Sequence, residues 1–220
     1  PNFMNIPGEN ALNIMSSNEY LTRVNLMDAA NPHTDTPINL GKKVVVVGGG
    51  NTAMDSCRTA KRLGAEVTLV YRRSEAEMPA RLEEVKHAKE EGINFMTLHN
   101  PKEYEADEKG AVKSVVLDVM QLGEPDASGR RRPEATGETV TLECDQVIVA
   151  VGVSPNPLVP KSIEGLELGR KNTIAVNEQM QSSIEEIYAG GDIVRGGATV
   201  ILAMGDGRKA ALNMSERLLK

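Results

Sequence analysis

The sequence lacks the residues from which metal centres, thiol relays and base-stacking surfaces are usually built. Its only two cysteines, Cys57 and Cys144, form no C-x-x-C pair, so we expect neither a zinc site nor an iron–sulfur cluster within it. The histidines are scattered without metal-ligand spacing, tryptophan is absent, aromatic residues make up 3% of the chain and the net charge is −6. Because nucleic-acid sites need stacking platforms and basic surfaces, nucleic acid is not an expected partner.

Long apolar segments are missing as well. No run is long enough to cross a bilayer, and the first residues carry no signal-peptide pattern. We therefore expect a cytoplasmic protein with reduced cysteines and no membrane contact. The chain opens on Pro1 rather than on a methionine, which we interpret as the start of a segment from a longer protein.

One stretch of the sequence predicts a nucleotide site. The apolar run Lys43–Val47 stops at a glycine cluster and passes at once into a helical pattern. The spacing Gly48-x-Gly50-x-x-Ala53 after a buried strand is typical of dinucleotide binding. In such sites the first glycine permits a tight turn and the second lets the backbone approach a pyrophosphate at the helix N-terminus. A small third residue keeps the helix close to the sheet.

The end of the next predicted strand indicates which dinucleotide is bound. NAD sites usually carry an acid near this position, which binds the ribose 2′-hydroxyl. Here the strand runs into Arg72 and Arg73, and the first acid is Glu75. Since arginine binds phosphate oxygens bidentately, the pair favours the 2′-phosphate of NADP(H) over NAD(H). The alternative is a solvated basic turn.

Further elements are predicted before residue 152. They are a helix at Pro79–Glu91 with Leu82, Val85 and Ala88 inward, a strand at Ile93–Leu98, a β-meander of Val112–Met120 and Thr139–Glu143, and a buried strand from Asp145. That last strand ends at Gly152, which we expect near the cofactor because open α/β sheets bind ligands beyond the carboxyl ends of their strands. A plain strand-ending turn explains Gly152 equally well. The run Arg130–Arg132 could clamp a phosphate, but its acidic neighbours favour a solvated loop.

The last third of the sequence predicts a second site. A short strand at Glu186–Ala189 is expected to lead into Gly190-Gly191-Asp192, followed by a helix that starts near Thr199. The positive end of this helix could face a polar or anionic ligand. The apolar face expected for it consists of Val200, Met204, Gly207, Ala211, Met214 and Leu218.

Five motifs together carry a resemblance to a known family. They are Asn5–Asn10, Gly48–Asp55, Tyr71–Ser74, Glu77–Arg81 and Gly190–Gly196. On these motifs the chain resembles the NADPH-oxidising small subunit, or beta chain, of glutamate synthase, which is a two-dinucleotide-binding flavoprotein. It is also similar to the large subunit of NADH-dependent ferredoxin:NADP oxidoreductase, and the two alternatives stay open.

The resemblance implies an α/β fold in which an NADP domain is inserted into an FAD domain. Residues 41–152 would be the NADP-binding, Rossmann-like half, a parallel sheet with an inserted β-meander. Residues 1–40 would be a linker and a remnant of the FAD domain, and residues 153–220 its C-terminal segment. The implied activity is hydride transfer between NADPH and FAD. Since the cofactors carry that chemistry, no catalytic side chain is expected.

The motifs and the resemblance together assign individual residues to the two cofactors. For NADP they are Gly48, Gly50, Asn51, Thr52, Ala53, Asp55, Arg72, Arg73 and Gly152. For FAD they are Gly191, Asp192 and Thr199. In the family, Asn51 falls where the nicotinamide approaches the flavin, and Asp55 falls near the carboxamide, although Asp55 also suits a first-turn acid. Asp192 falls where an acid hydrogen-bonds the FAD ribityl chain.

The chain departs from the family in two respects. The cysteine-rich segment for iron–sulfur clusters and the first glycine motif for FAD are absent from this sequence. We therefore expect this segment alone to retain little or no FAD and to form no glutamate. The expected partner is the glutamate synthase large subunit or a ferredoxin-linked small subunit. A non-catalytic NADP-binding module is the alternative class. A short-chain-type dehydrogenase is disfavoured because no Tyr-x-x-x-Lys pair is present.

Overall fold

The computed structural model describes residues 1–125, 129 and 131–219. The chain divides into two compact units, one up to Gly152 and one from Val153 onwards. Among the described residues, no helix combines the length and the apolar character that crossing a membrane requires.

The first unit contains most of the regular structure. Its elements in chain order are β1 (Ile14–Ser16), α1 (Ser17–Leu21), a π-helical turn (Thr22–Leu26), β2 (Lys43–Val47), α2 (Asn51–Arg62), β3 (Glu66–Tyr71), a 3-10 turn (Glu75–Glu77), α3 (Leu82–Glu90), β4 (Asn94–Thr97), β5 (His99–Ala106), β6 (Val112–Pro125), β7 (Arg131–Glu143) and β8 (Gln146–Val149).

Five of these strands form a parallel sheet in the order β1-β8-β2-β3-β4. Strand β2 lies in the middle and pairs with β3 on one side and with β8 on the other. The predicted strands at β2, β3, β4 and β8 are confirmed. Strand β1 was not predicted, because three residues are too short to show an alternating pattern.

The two faces of the parallel sheet are covered by different layers. Val44 and Val46 of β2 pack with helical residues such as Ala53 and Met54. Val45 and Val47 point to the opposite face, where they pack with residues of the β5–β7 layer such as Leu117. Successive strand residues alternate between faces, so a run of four valines supplies both cores at once.

The second layer is an antiparallel sheet in the order β5-β6-β7. It corresponds to the predicted β-meander, but β6 and β7 are longer than predicted and β5 was not predicted at all. The pairing extends to Pro125 opposite Arg131. Residues 126–128, and Arg130 of the predicted solvated loop, lie outside the described residues.

Helix α3 begins later than its sequence pattern predicted. It starts at Leu82 rather than at Pro79, after the separate 3-10 turn. Val85 and Ala88 are buried as expected, whereas Leu82 is 87% exposed. Leu82 is the first helical residue, and it therefore lies outside the stripe that contacts the sheet.

The second unit contains short helices and one long one. They are α4 (Leu158–Ser162), a 3-10 turn (Arg170–Asn172), α5 (Asp192–Arg195) and α6 (Val200–Leu218). The predicted strand at Glu186–Ala189 is wrong. Only a single bridge between Gln181 and Tyr188 forms there, because Gly190 follows at once and packs against α6.

The predicted inner face of α6 is also wrong. Val200, Met204 and Leu218 are 70–80% exposed, while Asp206 and Ala210 are buried. The apolar spacing predicted that one side of α6 packs inward. The ion pair between Asp206 and Arg195 instead turns the opposite side of the helix towards the rest of the second unit.

Candidate dinucleotide-binding site

The turn after β2 has no room for a side chain at its first glycine. Gly48 has a φ of +142°, and its N–H donates to the Val70 carbonyl of β3 at 3.0 Å. A Cβ placed on Gly48 would lie 2.4 Å from the Ala150 carbonyl oxygen, far inside van der Waals contact. The positive φ and the close approach of Ala150, which follows β8, therefore require glycine at this position.

Gly50, by contrast, lies in open space. It caps α2 in an extended conformation, and no described heavy atom lies within 4 Å of the place a Cβ would take. No side chain among the described residues caps this helix, so its first N–H groups remain available to an anion. Ala53, fully buried one turn later, holds the helix against the sheet. This arrangement fits the pyrophosphate of a dinucleotide.

The loop at residues 77–81, which the sequence did not indicate as part of the site, closes over this turn. A Cβ placed on Gly49 would lie only 2.6 Å from the Cε2 atom of the Tyr71 ring. The Tyr71 hydroxyl donates to the Glu77 carbonyl at 2.9 Å, and the Ala80 N–H donates to the Gly49 carbonyl at 3.1 Å. The sequence feature that could have predicted this contact is the motif Glu77–Arg81, which we used only as part of the family resemblance.

The same loop binds the first residue of α2. The Arg81 N–H donates to Asn51 Oδ1 at 2.9 Å, which fixes the Asn51 side chain on the exposed surface. Thr52 and Asp55 lie exposed on the same turn. Partial burial and the negative charge of Glu84 raise the pKa of Asp55, and Arg58 opposes them. The structure thus brings the predicted residues of α2 together beside the glycine turn.

Arg72 and Arg73 follow β3, directly beside that turn. Arg72 is exposed and makes no hydrogen bond or ion pair with the described part of the chain. Arg73 is half-buried, and its Nε donates to the Arg131 carbonyl at 3.0 Å. Arg131 was expected in a solvated loop. Instead it opens β7 and contacts Arg73, because the β6–β7 hairpin extends further than the sequence indicated.

Gly152 lies three residues beyond the end of β8, the strand next to β2. Its φ is +101°, which favours glycine, and its carbonyl accepts from the Asn2 N–H at 2.9 Å. Gly152 thus lies on the side of β2 away from Arg72 and Arg73.

The predicted residues of the second unit surround the start of α6. Gly191 is buried with a φ of +73°. Asp192 is exposed, and its Oδ1 accepts from the Ala198 N–H at 3.2 Å. Thr199 caps α6 by accepting from the Leu202 N–H at 3.4 Å. The structure therefore groups Gly191, Asp192 and Thr199 in one place.

A buried carboxylate that sequence reasoning missed supports this group. Asp206 accepts from the Gly191 N–H at 3.0 Å and from two nitrogens of the Arg195 guanidinium, each at 2.6 Å. The hydrogen bonds from Arg195 and Gly191 lower the pKa of Asp206 to about 2. The Gly190–Asp192 turn is thus fastened to α6 through a charged group that accepts three hydrogen bonds from two residues.

The thiols take no part in either group. Cys57 is fully buried in the core of the first unit, and burial raises its pKa. Cys144 is also buried, which raises its pKa to about 12. A thiol in such surroundings is a poor nucleophile. Among the described residues, no cluster of three or more potential metal ligands occurs.

The parallel sheet, the glycine turn and the uncapped helix define a dinucleotide-binding α/β protein. Its fold matches that of Mycobacterium tuberculosis FprA in complex with NADPH, with a TM-score of 0.76 at 20% identity, over 99% of this chain and 61% of that one. The predicted fold class, that of the two-dinucleotide-binding flavoproteins, is therefore confirmed.

The chain belongs to the pyridine nucleotide-disulphide oxidoreductase family, whose model it matches over residues 1–207. It is 44% identical over 177 residues to the glutamate synthase (NADPH) small chain of Escherichia coli (strain K12), which is 78% of this chain and 38% of that one. It is 45% identical over 182 residues to the NADP(+)-dependent formate dehydrogenase subunit beta of Moorella thermoacetica, which is 81% of this chain and 25% of that one. The expected resemblance to the glutamate synthase small chain is confirmed. The chain spans well under half of the length of these two relatives.

Replacing the two glycines of the turn by alanine should affect stability to very different extents. Gly48→Ala should lower the free energy of unfolding by at least about 2 kcal/mol, because it forces a close contact with Ala150 at a positive φ. Gly50→Ala, in open space and extended backbone, should change it by less than about 0.5 kcal/mol. Denaturant unfolding of both variants measures the difference. Equal stability of the two would contradict the assigned geometry.

The Asp206 carboxylate should make the stability of the fold sensitive to acid. Its pKa in the folded protein lies below the ordinary value, so its charged form stabilises the fold above pH ~4, and this contribution is lost as the pH falls towards 2. Asp206→Asn should lower the thermal midpoint at pH 7 and flatten its decline between pH 4 and 2. Glu216→Gln, an exposed change on the same helix, is the matched control. A D206N curve parallel to that of the wild type would refute this role.

Proposed function

We propose that this chain is part of a flavin-dependent oxidoreductase that transfers hydride between NADPH and FAD. The observation that carries the proposal is the pairing of an uncapped helix N-terminus at Gly50 with two arginines at the end of β3. The names of the two relatives, which both specify NADP(H), support the same cofactor.

In this proposal the first unit binds NADP(H). The N–H groups that begin α2 bind the pyrophosphate, and Gly50 lets it approach. Arg72 and Arg73 bind the 2′-phosphate. Asn51, Thr52 and Asp55 lie along the exposed side of the same turn, where they contact the nicotinamide end. Gly152 lies beyond the neighbouring strand and leaves the edge of the sheet open.

The second unit is proposed to bind FAD, which supplies the electron-accepting ring when it is bound. Asp192 presents an exposed carboxylate for a ribityl hydroxyl, and the fixed Gly191 backbone allows the chain of the cofactor to approach. Thr199 holds the first turn of α6, whose positive end faces an electron-rich group. The proposed division assigns residues 41–152 to NADP, and 1–40 and 153–220 to the flavin domain. Strand β1 within residues 1–40 packs in the parallel sheet of the first unit.

The more specific proposal is that the whole protein is the small subunit of a glutamate synthase. In that case its partner is the glutamine-hydrolysing large subunit, it works in the cytoplasm, and iron–sulfur clusters lie in a part of the protein that this sequence does not include. The 44% identity to the Escherichia coli small chain supports this assignment. The ferredoxin-linked alternative is an outcome of the test below.

The test uses the whole polypeptide isolated with its natural partner. Mixing it with NADPH in a stopped-flow instrument should bleach the flavin absorbance, and glutamine plus 2-oxoglutarate should then sustain NADPH oxidation. Turnover with ferredoxin but not with glutamine would select the ferredoxin:NADP oxidoreductase. A flavin that NADPH leaves unbleached would refute the oxidoreductase proposal and favour a non-catalytic NADP-binding module.

Replacing both arginines should weaken the binding of NADPH much more than the binding of NADH. In Arg72→Ala with Arg73→Ala, NADPH should bind at least about a hundredfold more weakly, because two charged partners of one phosphate are removed. NADH affinity should change by less than about threefold. Calorimetric titration measures both. Lys42→Ala with Lys109→Ala, which removes the same charge elsewhere, controls for general electrostatics. Equal losses for both nucleotides would contradict the proposal.

A further inference from the structure

The start of β7 lies against the residues that follow β3. Arg73 Nε donates to the Arg131 carbonyl at 3.0 Å, and Arg131 Nε lies 3.5 Å from Glu77 Oε1. Glu77 is itself held by Ser74, whose N–H and hydroxyl donate to its other oxygen at 3.3 and 3.0 Å. One connected cluster thus joins Arg73, Ser74, Glu77 and Arg131 across a wide gap in sequence.

The hairpin is fixed in this position by its backbone. The Leu98 N–H donates to the Arg73 carbonyl at 3.1 Å, and the Met120 N–H donates to the Leu98 carbonyl at 2.8 Å. Further along the hairpin, Pro125 of β6 pairs with Arg131 of β7. The sheet therefore sets the position of Arg131 relative to Arg73.

The cluster contains a negative charge that conflicts with phosphate binding. Glu77 lies beside Arg73 and Ser74, where a carboxylate would repel a 2′-phosphate. Partial burial works to raise the pKa of Glu77, but hydrogen bonds from Ser74 and the charge of Arg131 outweigh it, so the pKa lies below the ordinary value and the group stays charged. Arg131 compensates this charge, and its side chain is still 46% exposed.

We propose that Arg131 determines the preference for NADP(H): its guanidinium neutralises Glu77 and adds a third cation to the Arg72–Arg73 pair around the 2′-phosphate. This inference rests on the proposed NADP(H) site. The β-hairpin then contributes to nucleotide choice, in addition to covering one face of the parallel sheet. Without Arg131, the Glu77 carboxylate would favour a ribose hydroxyl over a phosphate, since an acid near this position is how NAD sites discriminate.

The neighbouring arginine provides a matched control. Arg132 is exposed, and its side chain makes no hydrogen bond or ion pair with the described residues. Because side chains alternate along a strand, Arg132 points to the face of β7 opposite to Arg131. The two substitutions remove the same charge from adjacent positions, but only one of them belongs to the cluster.

The test is calorimetric titration of the chain with NADP⁺ and with NAD⁺. Arg131→Gln should weaken NADP⁺ binding about tenfold, which is the loss expected for one charged hydrogen-bond partner. It should leave NAD⁺ binding unchanged or tighter. Arg132→Gln should alter neither. An R131Q protein with an unchanged ratio of the two affinities, or with equal losses for both, would overturn the inference.

Glu77 supplies a second variant that a purely structural role of Arg131 does not explain. Glu77→Gln keeps an acceptor for Ser74 and removes the charge, so it should tighten NADP⁺ binding about threefold. Combined with R131Q, it should restore the part of the affinity that is lost to repulsion by Glu77, about threefold, and no such recovery would contradict the charge argument. A wild-type chain that binds neither nucleotide would refute the proposed function itself, whereas a binding wild type with an unaffected R131Q refutes only the role of Arg131.

Discussion

The packing of three parallel strands around Gly48 is the constraint on which the rest of the structure depends. Strand β2 lies between β3 and β8. The Gly48 N–H donates to the Val70 carbonyl on one side, and the Ala150 carbonyl on the other side leaves no space for a Cβ at Gly48. The chain must therefore turn sharply, and the turn delivers Gly50 and the first turn of α2 to the edge of the sheet. The exposed N–H groups at this edge follow from strand packing, because no side chain of the described residues caps the helix.

Each unit holds a largely buried carboxylate in place with an arginine. In the first unit, cations gather where β3 ends, and the acid Glu77 beside them is paired with Arg131. In the second, a buried acid, Asp206, holds a glycine turn through its N–H and through Arg195. In the second unit the carboxylate of the ion pair also fixes the backbone of a glycine turn, and in the first unit the ion pair links the start of β7 to the residues that follow β3. Because the Glu77 and Asp206 carboxylates are largely buried, leaving either of them without its arginine would be costly. These ion pairs therefore specify the local conformation.

Local patterns were sufficient for four of the five parallel strands, all except β1, and for the glycine turn, because a buried strand followed by Gly48-x-Gly50-x-x-Ala53 is typical of one strand–turn–helix arrangement. They were insufficient where distant residues decide the outcome. The inner face of α6 is set by the pairing of Asp206 with Arg195, which apolar spacing cannot reveal. The position of Arg131 is set by the hairpin register, and acidic neighbours in sequence wrongly indicated a solvated loop. The site residues named from the motif stay a prediction.

A crystal structure of the chain with NADP⁺ tests the central claim most directly. The account predicts density for the pyrophosphate at the first N–H groups of α2 beside Gly50, with the 2′-phosphate held by Arg72 and Arg73. Density for the nucleotide at another surface, or a 2′-phosphate turned away from both arginines, would contradict it.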